Sequence, residues 1–465
     1  MNLKRYMYIS LVFIIYTLPI SILNKPYRDD YDRIINNYMG WSDNGRPLSD
    51  LVVGSIISGG PMISFGLFSC VLSSLIIALT FVIYSRYVRE DNQLKSLLPL
   101  FVFYLSPLFI QFLYYKFDSI TILLSIAIVF VPFIFSKHHN RLILNFVTIV
   151  CVMLSLSLYQ ASFPVFLALL AIRSQSDDFN LKETCISVFS CMLGVLIYKV
   201  FISGYFISGV YSEDSSRLLS PLEDGFIDKY IENAQKVWGV VKLIDSYTVA
   251  VSLSIAVALV LIWMLMNIKK QTSRMTKLII SSSSAIGVSL LFLLQYNVAT
   301  EPRSLIYVSS IIFLFLALAS TLVSTKVTAV VCSVIIAVFI NIYVHVNYAR
   351  DEQFRYEQSV MQMINNVADR YHDKKIYIFG WSAPKRVVSV YDSTPLSIKI
   401  ANPDFGSWYF TQYLDYYNAR KNIFRGGSTN FNISCNDMMV KYNGFYATVR
   451  QGDNIAIYLR DIKCS

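Results

Sequence analysis

Charge is scarce in this sequence: Asp, Glu, Lys and Arg make up 15% of its 465 residues, against 55% hydrophobic. A water-soluble domain carries about a quarter of its residues as charge, so this chain has more apolar surface than one aqueous core buries. Lipid is the remaining solvent for it. Histidine is scarcer, with four residues; His138 and His139 share a short basic loop with Lys137 and Arg141 and read as a solvated loop. Of the seven cysteines, Cys70, Cys151, Cys185, Cys191 and Cys332 lie in or beside apolar segments without metal-ligand spacing, as small core residues do. No metal site is therefore expected. Only Cys435 and Cys464 stand in a polar stretch, where an oxidising compartment would favour a disulfide. Internal repeats and low-complexity segments are absent. The net charge of +10 does not point to nucleic acid, because many of the basic residues sit in short loops between apolar segments, where they act as topology signals.

What the chain does have is long apolar runs, at 6–23, 62–84, 96–114, 119–135, 142–158, 161–173, 184–203, 246–267, 278–294, 305–323 and 327–346. Most have the length of a helix crossing about 30 Å of hydrocarbon, which predicts about eleven transmembrane helices. Lys4 and Arg5 precede the first run without a small-residue cleavage site after it, so it reads as a retained anchor. With a cytoplasmic N-terminus, the loops at 85–95, 136–141, 173–183, 268–277 and 324–326 hold, with Lys4 and Arg5, fourteen lysines and arginines. That satisfies the positive-inside rule for a bacterial inner-membrane protein. The loops 24–61 and 204–245 then face the periplasm, and so does the tail.

The tail, from about residue 348, has the signals of a small α/β domain. Phe354, Met361, Ile364, Val367 and Ala368 recur near helical spacing within 351–371. Strand-like runs follow at Lys375–Phe379, Arg386–Tyr391 and Ser397–Ala401. Tyr446–Arg450 and Ile455–Leu459 flank a turn and predict a hairpin. The expected organisation is a transmembrane domain over 1–347 and a periplasmic α/β domain over 348–465. The long loop 204–245, with Glu213, Asp214, Arg217 and Trp238, is expected to be functional because of its size.

The densest polar constellation is Tyr27-Arg28-Asp29-Asp30-Tyr31-Asp32-Arg33, followed by Gly40-Trp41-Ser42-Asp43-Asn44-Gly45-Arg46-Pro47-Leu48. Carboxylates at a membrane boundary are costly unless solvated, paired or used. A solvated loop of local Asp–Arg pairs is the plain reading. Trp41 and Arg46 beside the carboxylates suit a sugar ring and a phosphate.

This pattern resembles the phage-encoded, serotype-converting O-antigen glucosyltransferases of enteric bacteria, the glucosyl transferase II-like group of GT-C type enzymes. The resemblance extends to Phe117-Asp118-Ser119, Tyr159-Gln160-Ala161 and Pro302-Arg303. It implies an all-α, GT-C-like membrane fold and an inverting transferase that moves glucose from undecaprenyl phosphate to an O-antigen repeat of lipopolysaccharide. Its partners would be that lipid-linked donor, the O-antigen acceptor, a small flippase and a cytoplasmic synthase of the donor lipid. It fixes no cofactor, and a divalent cation is left open. Such chemistry needs a base for the acceptor hydroxyl and cations for the departing phosphate. Asp29 or Asp30 is the expected base, its neighbour orienting it; Arg33, Arg46 and Arg303 are the expected phosphate ligands. Trp41, Lys116, Asp118, Tyr159, Gln160 and Glu301 complete the expected substrate site. Competing readings are a GT-C transferase with another lipid-linked sugar, a lipid-sugar flippase or transporter, and a membrane acyltransferase. A flippase calls for buried intramembrane charges and inverted repeats, and an acyltransferase for a partnered histidine, which neither His345 nor His372 offers in the sequence.

Overall fold

The computed structural model describes residues 3–23, 25–88, 93–135, 140–174, 181–208, 217–220, 222–244, 291–380, 383–401, 410–417, 419, 422–426, 438–442, 446–451 and 453–459. Six helices in it are long and apolar enough to cross a membrane: Leu3–Ile22, Gly66–Tyr87, Asp118–Phe135, Arg141–Leu158, Lys182–Phe206 and Thr325–Arg370. A seventh candidate is the pair Gln93–Tyr104 and Pro107–Tyr114, bent by 60°. The chain is thus a mostly helical, polytopic membrane protein. The runs at 161–173 and 305–323 are also helical, as Gln160–Arg173 and Ile306–Thr321, but each falls short of the roughly 20 residues of a full span. The run at 246–267 and most of that at 278–294 lie outside the described residues.

Two features depart from simple spans, each for a local reason. The run at 96–114 is broken because Pro107 forces Ser106 out of the helical region, to φ −56° and ψ 138°. The run at 327–346 does not end where its hydropathy falls, since one helix of 46 residues continues to Arg370. Nothing in Asn347-Tyr348-Ala349-Arg350 breaks a helix, so the anticipated helix at 351–371 is the same element as the last span.

The chain divides into two compact units. The first comprises Met1–Lys25, Met39–Gly60 and Ser64–Tyr343. Here Leu3–Ile22 packs on Gly66–Val88, that helix on Asp118–Phe135, and the latter on Arg141–Leu158. Lipid is as apolar as leucine, so such contacts rest on close packing and interhelical hydrogen bonds. Both are present. Buried Ser125 meets the hydroxyl of Ser155 at 2.9 Å and that of Ser162 at 2.6 Å. A Cβ at Gly194 would lie 2.9 Å from the carbonyl oxygen of Ile149, so only glycine permits that approach.

The second unit comprises Pro26–Tyr38, Pro61–Ile63 and Val344–Ser465. Its five-stranded sheet runs β2-β1-β5-β4-β3, with β1 at Lys375–Phe379, β2 at Ile423–Arg425, β3 at Met438–Tyr442, β4 at Tyr446–Gln451 and β5 at Asn454–Tyr458. β1 is parallel to β2 and β5, whereas β4 is antiparallel to β5 and β3. Ile376, Ile378, Ile455 and Ile457 alternate onto one face and are buried with Val360, Met361, Ile364 and Ala368, the apolar stripe of the long helix.

The anticipated hairpin is present as β4 and β5, but two anticipated strands are helices, Lys385–Ser393 and Leu396–Ile400. In the first, the valines that mimic a strand bury Val387 and Tyr391, four residues apart on one helix face, directly after Pro384. In the second, Pro395 precedes a single turn that buries Leu396 and Ile400. The anticipated Cys435–Cys464 disulfide lies outside the described residues.

Candidate active site

Within the first unit, seven of the anticipated residues share one network. Gly45, at φ 72°, closes the turn Ser42–Asn44, and Pro47 at the first helical position starts the helix Pro47–Ile57. Asp50 of that helix accepts the backbone N–H groups of Trp41 at 3.2 Å and Ser42 at 2.5 Å. The turn is thereby fixed, and it presents Trp41 and Arg46. The Trp41 indole N–H donates to Asp118 Oδ1 at 2.8 Å, and the Arg46 guanidinium pairs with the same oxygen at 3.6 Å. Arg46 also lies over the ring of Tyr159 at 5.6 Å. The Tyr159 hydroxyl donates to the carbonyl oxygen of Arg303 at 3.0 Å.

Arg303 is held at both its backbone and its side chain. Its N–H donates to Gln111 Oε1 at 2.9 Å, while the Gln111 amide donates to Glu301 Oε2 at 2.6 Å. Its guanidinium carbon stands 4.0 Å from the centroid of Tyr115. The two guanidinium groups thus lie over neighbouring tyrosines of the network, Arg46 over Tyr159 and Arg303 over Tyr115. Burial pushes the Tyr159 phenol up, against the opposing pull of Arg303 and Arg46, so it stays a neutral donor at neutral pH. Gln160 donates to the carbonyl oxygen of Asn44 and to the hydroxyl of Tyr198, both at 2.9 Å. A Cβ at Gly45 would lie 2.8 Å from that same hydroxyl.

Trp41 is fully buried and its N–H is used on Asp118, so it belongs to the framework and offers no face to a sugar in this arrangement. Lys116, also buried, donates to the carbonyl oxygen of Ile20 at 2.8 Å and closes the end of the first helix. Asp50, Gln111, Tyr115 and Tyr198 were not anticipated. Gln111 carried the clearest signal, as an amide inside an apolar run; the others have no local mark.

Asp29, Asp30 and Arg33 lie in the second unit, on the helix Asp29–Asn36. Arg28 before it takes a left-handed φ of 48°, and its guanidinium donates to the carbonyl oxygen of Lys399 at 2.9 Å. Tyr27 donates to the carbonyl oxygen of Ile400 at 2.9 Å, and Tyr31 meets Tyr413 and Tyr416 edge-on, each at 5.4 Å. Asp30 is fully buried, accepting the Tyr27 N–H at 3.0 Å, whereas Asp29 is half-buried in the same first turn. Arg33 is buried and donates to the Tyr38 carbonyl oxygen at 3.5 Å. Among the described residues, no three His, Cys, Asp or Glu side chains are grouped to hold a metal ion.

The family model for glucosyl transferase GtrII matches residues 18–299, more than half of the chain. The chain belongs to the GtrII family. The match takes in both arrangements up to Gln160 and stops just before Glu301 and Arg303. An uncharacterized 55.3 kDa protein in the gtrB 5′ region of Salmonella phage P22 is 28% identical over 256 residues. The matched stretch covers 52% of each chain, so this chain spans about half the length of that relative. No solved structure matches.

Proposed function

We propose that this GtrII family member is an inverting glycosyltransferase that moves glucose from undecaprenyl phosphate to an O-antigen repeat on the periplasmic face of the inner membrane, changing the serotype. The observation that carries the reading is the pair of guanidinium groups, Arg46 over Tyr159 and Arg303 over Tyr115, both close enough to act on the Tyr159 phenol, a fixed cationic setting of the kind a departing phosphate needs. The acceptor hydroxyl oxygen attacks C1 of the glucose while the C1–O bond to phosphate breaks. Undecaprenyl phosphate leaves with the electron pair, and the hydroxyl proton passes to a carboxylate. A single displacement inverts C1. We assign the proton to Asp29, whose side chain is half-buried, and an orienting role to the buried Asp30. Asp118 is occupied in holding Trp41 and Arg46; Gln160 and Glu301 are the polar groups for sugar hydroxyls.

Expression with a cytoplasmic donor-lipid synthase and a small flippase should add one hexose per O-antigen repeat, read by mass spectrometry and NMR of the polysaccharide. Omitting the synthase should remove the addition. An unmodified O-antigen at normal expression, or a different added sugar, refutes the assignment.

The same reading takes the fold as GT-C-like with about eleven spans, the short helices Gln160–Arg173 and Ile306–Thr321 counted among them, the N-terminus cytoplasmic and the domain from residue 348 periplasmic. A reporter that is active only in the periplasm should then be active after Ser465 and silent within 268–277. The reverse pattern rejects this topology.

A further inference from the structure

Away from the network above, the first unit holds a cavity of about 490 Å³ lined by Lys4, Arg5, Tyr8, Ile9, Leu94, Leu97, Leu98, Phe101 and Ile336. Its volume is that of an ordinary small-molecule site, but its walls are almost wholly aliphatic and aromatic, which excludes a sugar or a nucleotide. From Leu94 to Phe101 it follows the helix for about 10 Å, at ~1.5 Å per residue. Its polar groups are confined to one end, where two helices begin, at Leu3 and at Gln93. The helix that begins at Leu3 has no acidic residue in its first turn, so its positive end adds to the charges of Lys4 and Arg5. Lys4 is separated from Ile20, the residue bonded to Lys116, by about 24 Å of helix. The cavity is therefore distinct from the network around Asp118.

We propose that this groove binds an anionic glycerophospholipid, one acyl chain lying on Leu97, Leu98, Phe101 and Ile336 and the phosphate meeting Lys4 and Arg5. The first helix is long and apolar enough to span the membrane, so its first turn lies at headgroup level, where long basic side chains reach phosphate while their stems stay in hydrocarbon. Tyr8 and Leu94, both exposed at the opening, give it a wall that faces the bilayer and admits a chain sideways. Charge complementarity selects an anionic headgroup over a zwitterionic one.

The test uses the full chain, purified in detergent and delipidated, titrated with dioleoylphosphatidylglycerol, dioleoylphosphatidylcholine or inorganic phosphate. Bound lipid is counted by native mass spectrometry, and stabilisation is read by thermal shift. Two basic side chains at a membrane surface should give the phosphatidylglycerol a preference of about thirtyfold. Lys4→Gln with Arg5→Gln should remove the preference, and the exchange Lys4→Arg with Arg5→Lys should keep it. Leu98→Trp, which fills the groove and leaves the cations in place, should weaken both lipids and keeps the test decisive if the Gln pair inserts poorly. Equal affinity for the two lipids, equal competition by inorganic phosphate, or unchanged lipid binding in Leu98→Trp overturns the proposal.

Discussion

Replacing Asp29 with Asn is expected to abolish glucosylation while the protein remains folded and inserted. Asn keeps the volume and polarity of the side chain but cannot take the proton of the acceptor hydroxyl. Loss of a positioned general base costs about 10²–10⁴-fold in rate, enough to erase serotype conversion in cells. The half-buried position of Asp29 in a helical first turn tolerates the exchange, with the loss of the favourable charge at the helix end costing about 0.3–1 kcal/mol. Asp30→Asn should behave differently. Its Oδ1 can still accept the Tyr27 N–H, so the bond seen at 3.0 Å survives, and activity should fall less than in Asp29→Asn. The measurement is hexose incorporation at matched membrane yield. Near-normal incorporation in both variants would show that this segment only anchors Tyr27 and Tyr31, and would move the search for the base to Glu301.

Much of the membrane architecture was legible because hydropathy is written locally. A run such as 119–135 needs no partner to declare itself, and the helix Asp118–Phe135 coincides with it. What hydropathy could not report was continuity: the break at Ser106 depends on one proline, and the helix to Arg370 depends on the absence of one. The strands failed where intrinsic preference and packing disagree. Val387, Val388 and Val390 favour extended backbone, yet only a helix buries Val387 and Tyr391 together with Ala349 and Ala401.

The site shows the same division. Trp41, Arg46 and Asp118 stood out as motif residues, and the fold brings them to a shared carboxylate oxygen. Their roles were not legible. Trp41 suggested an open aromatic platform, but a buried indole with its N–H on Asp118 is framework. Gln111, Tyr115 and Tyr198 act on residues far away in the chain, Gln111 on Glu301 and Arg303 and Tyr198 on Gly45. No spacing rule joins such positions. The acidic run was read as part of one loop, yet Tyr27 and Tyr31 tie it to residues of the second unit through Ile400, Tyr413 and Tyr416.

The two arginines should separate catalysis from stability. Arg303 is held in the network by its backbone N–H and carbonyl, and both bonds persist in Arg303→Ala. That variant loses the guanidinium over Tyr115, and a transition-state cation of this kind contributes about 10²–10³ in rate. Arg303→Lys should fall between, because charge is retained and the forked geometry is not. Arg46→Ala differs, since it also strips an ion-pair partner from Asp118, whose side chain is 2% exposed. Weakening the pairing of a buried carboxylate costs up to about 3 kcal/mol, so this variant should be both inactive and poorly produced. Adding Asp118→Asn removes the stranded charge while an Asn oxygen can still accept the Trp41 N–H. The double variant should therefore recover membrane yield and thermal stability without recovering glucosylation. Arg303→Ala with near-normal activity, or a double variant that regains glucosylation along with its yield, would mean that these cations only hold the fold and that the donor phosphate is bound elsewhere.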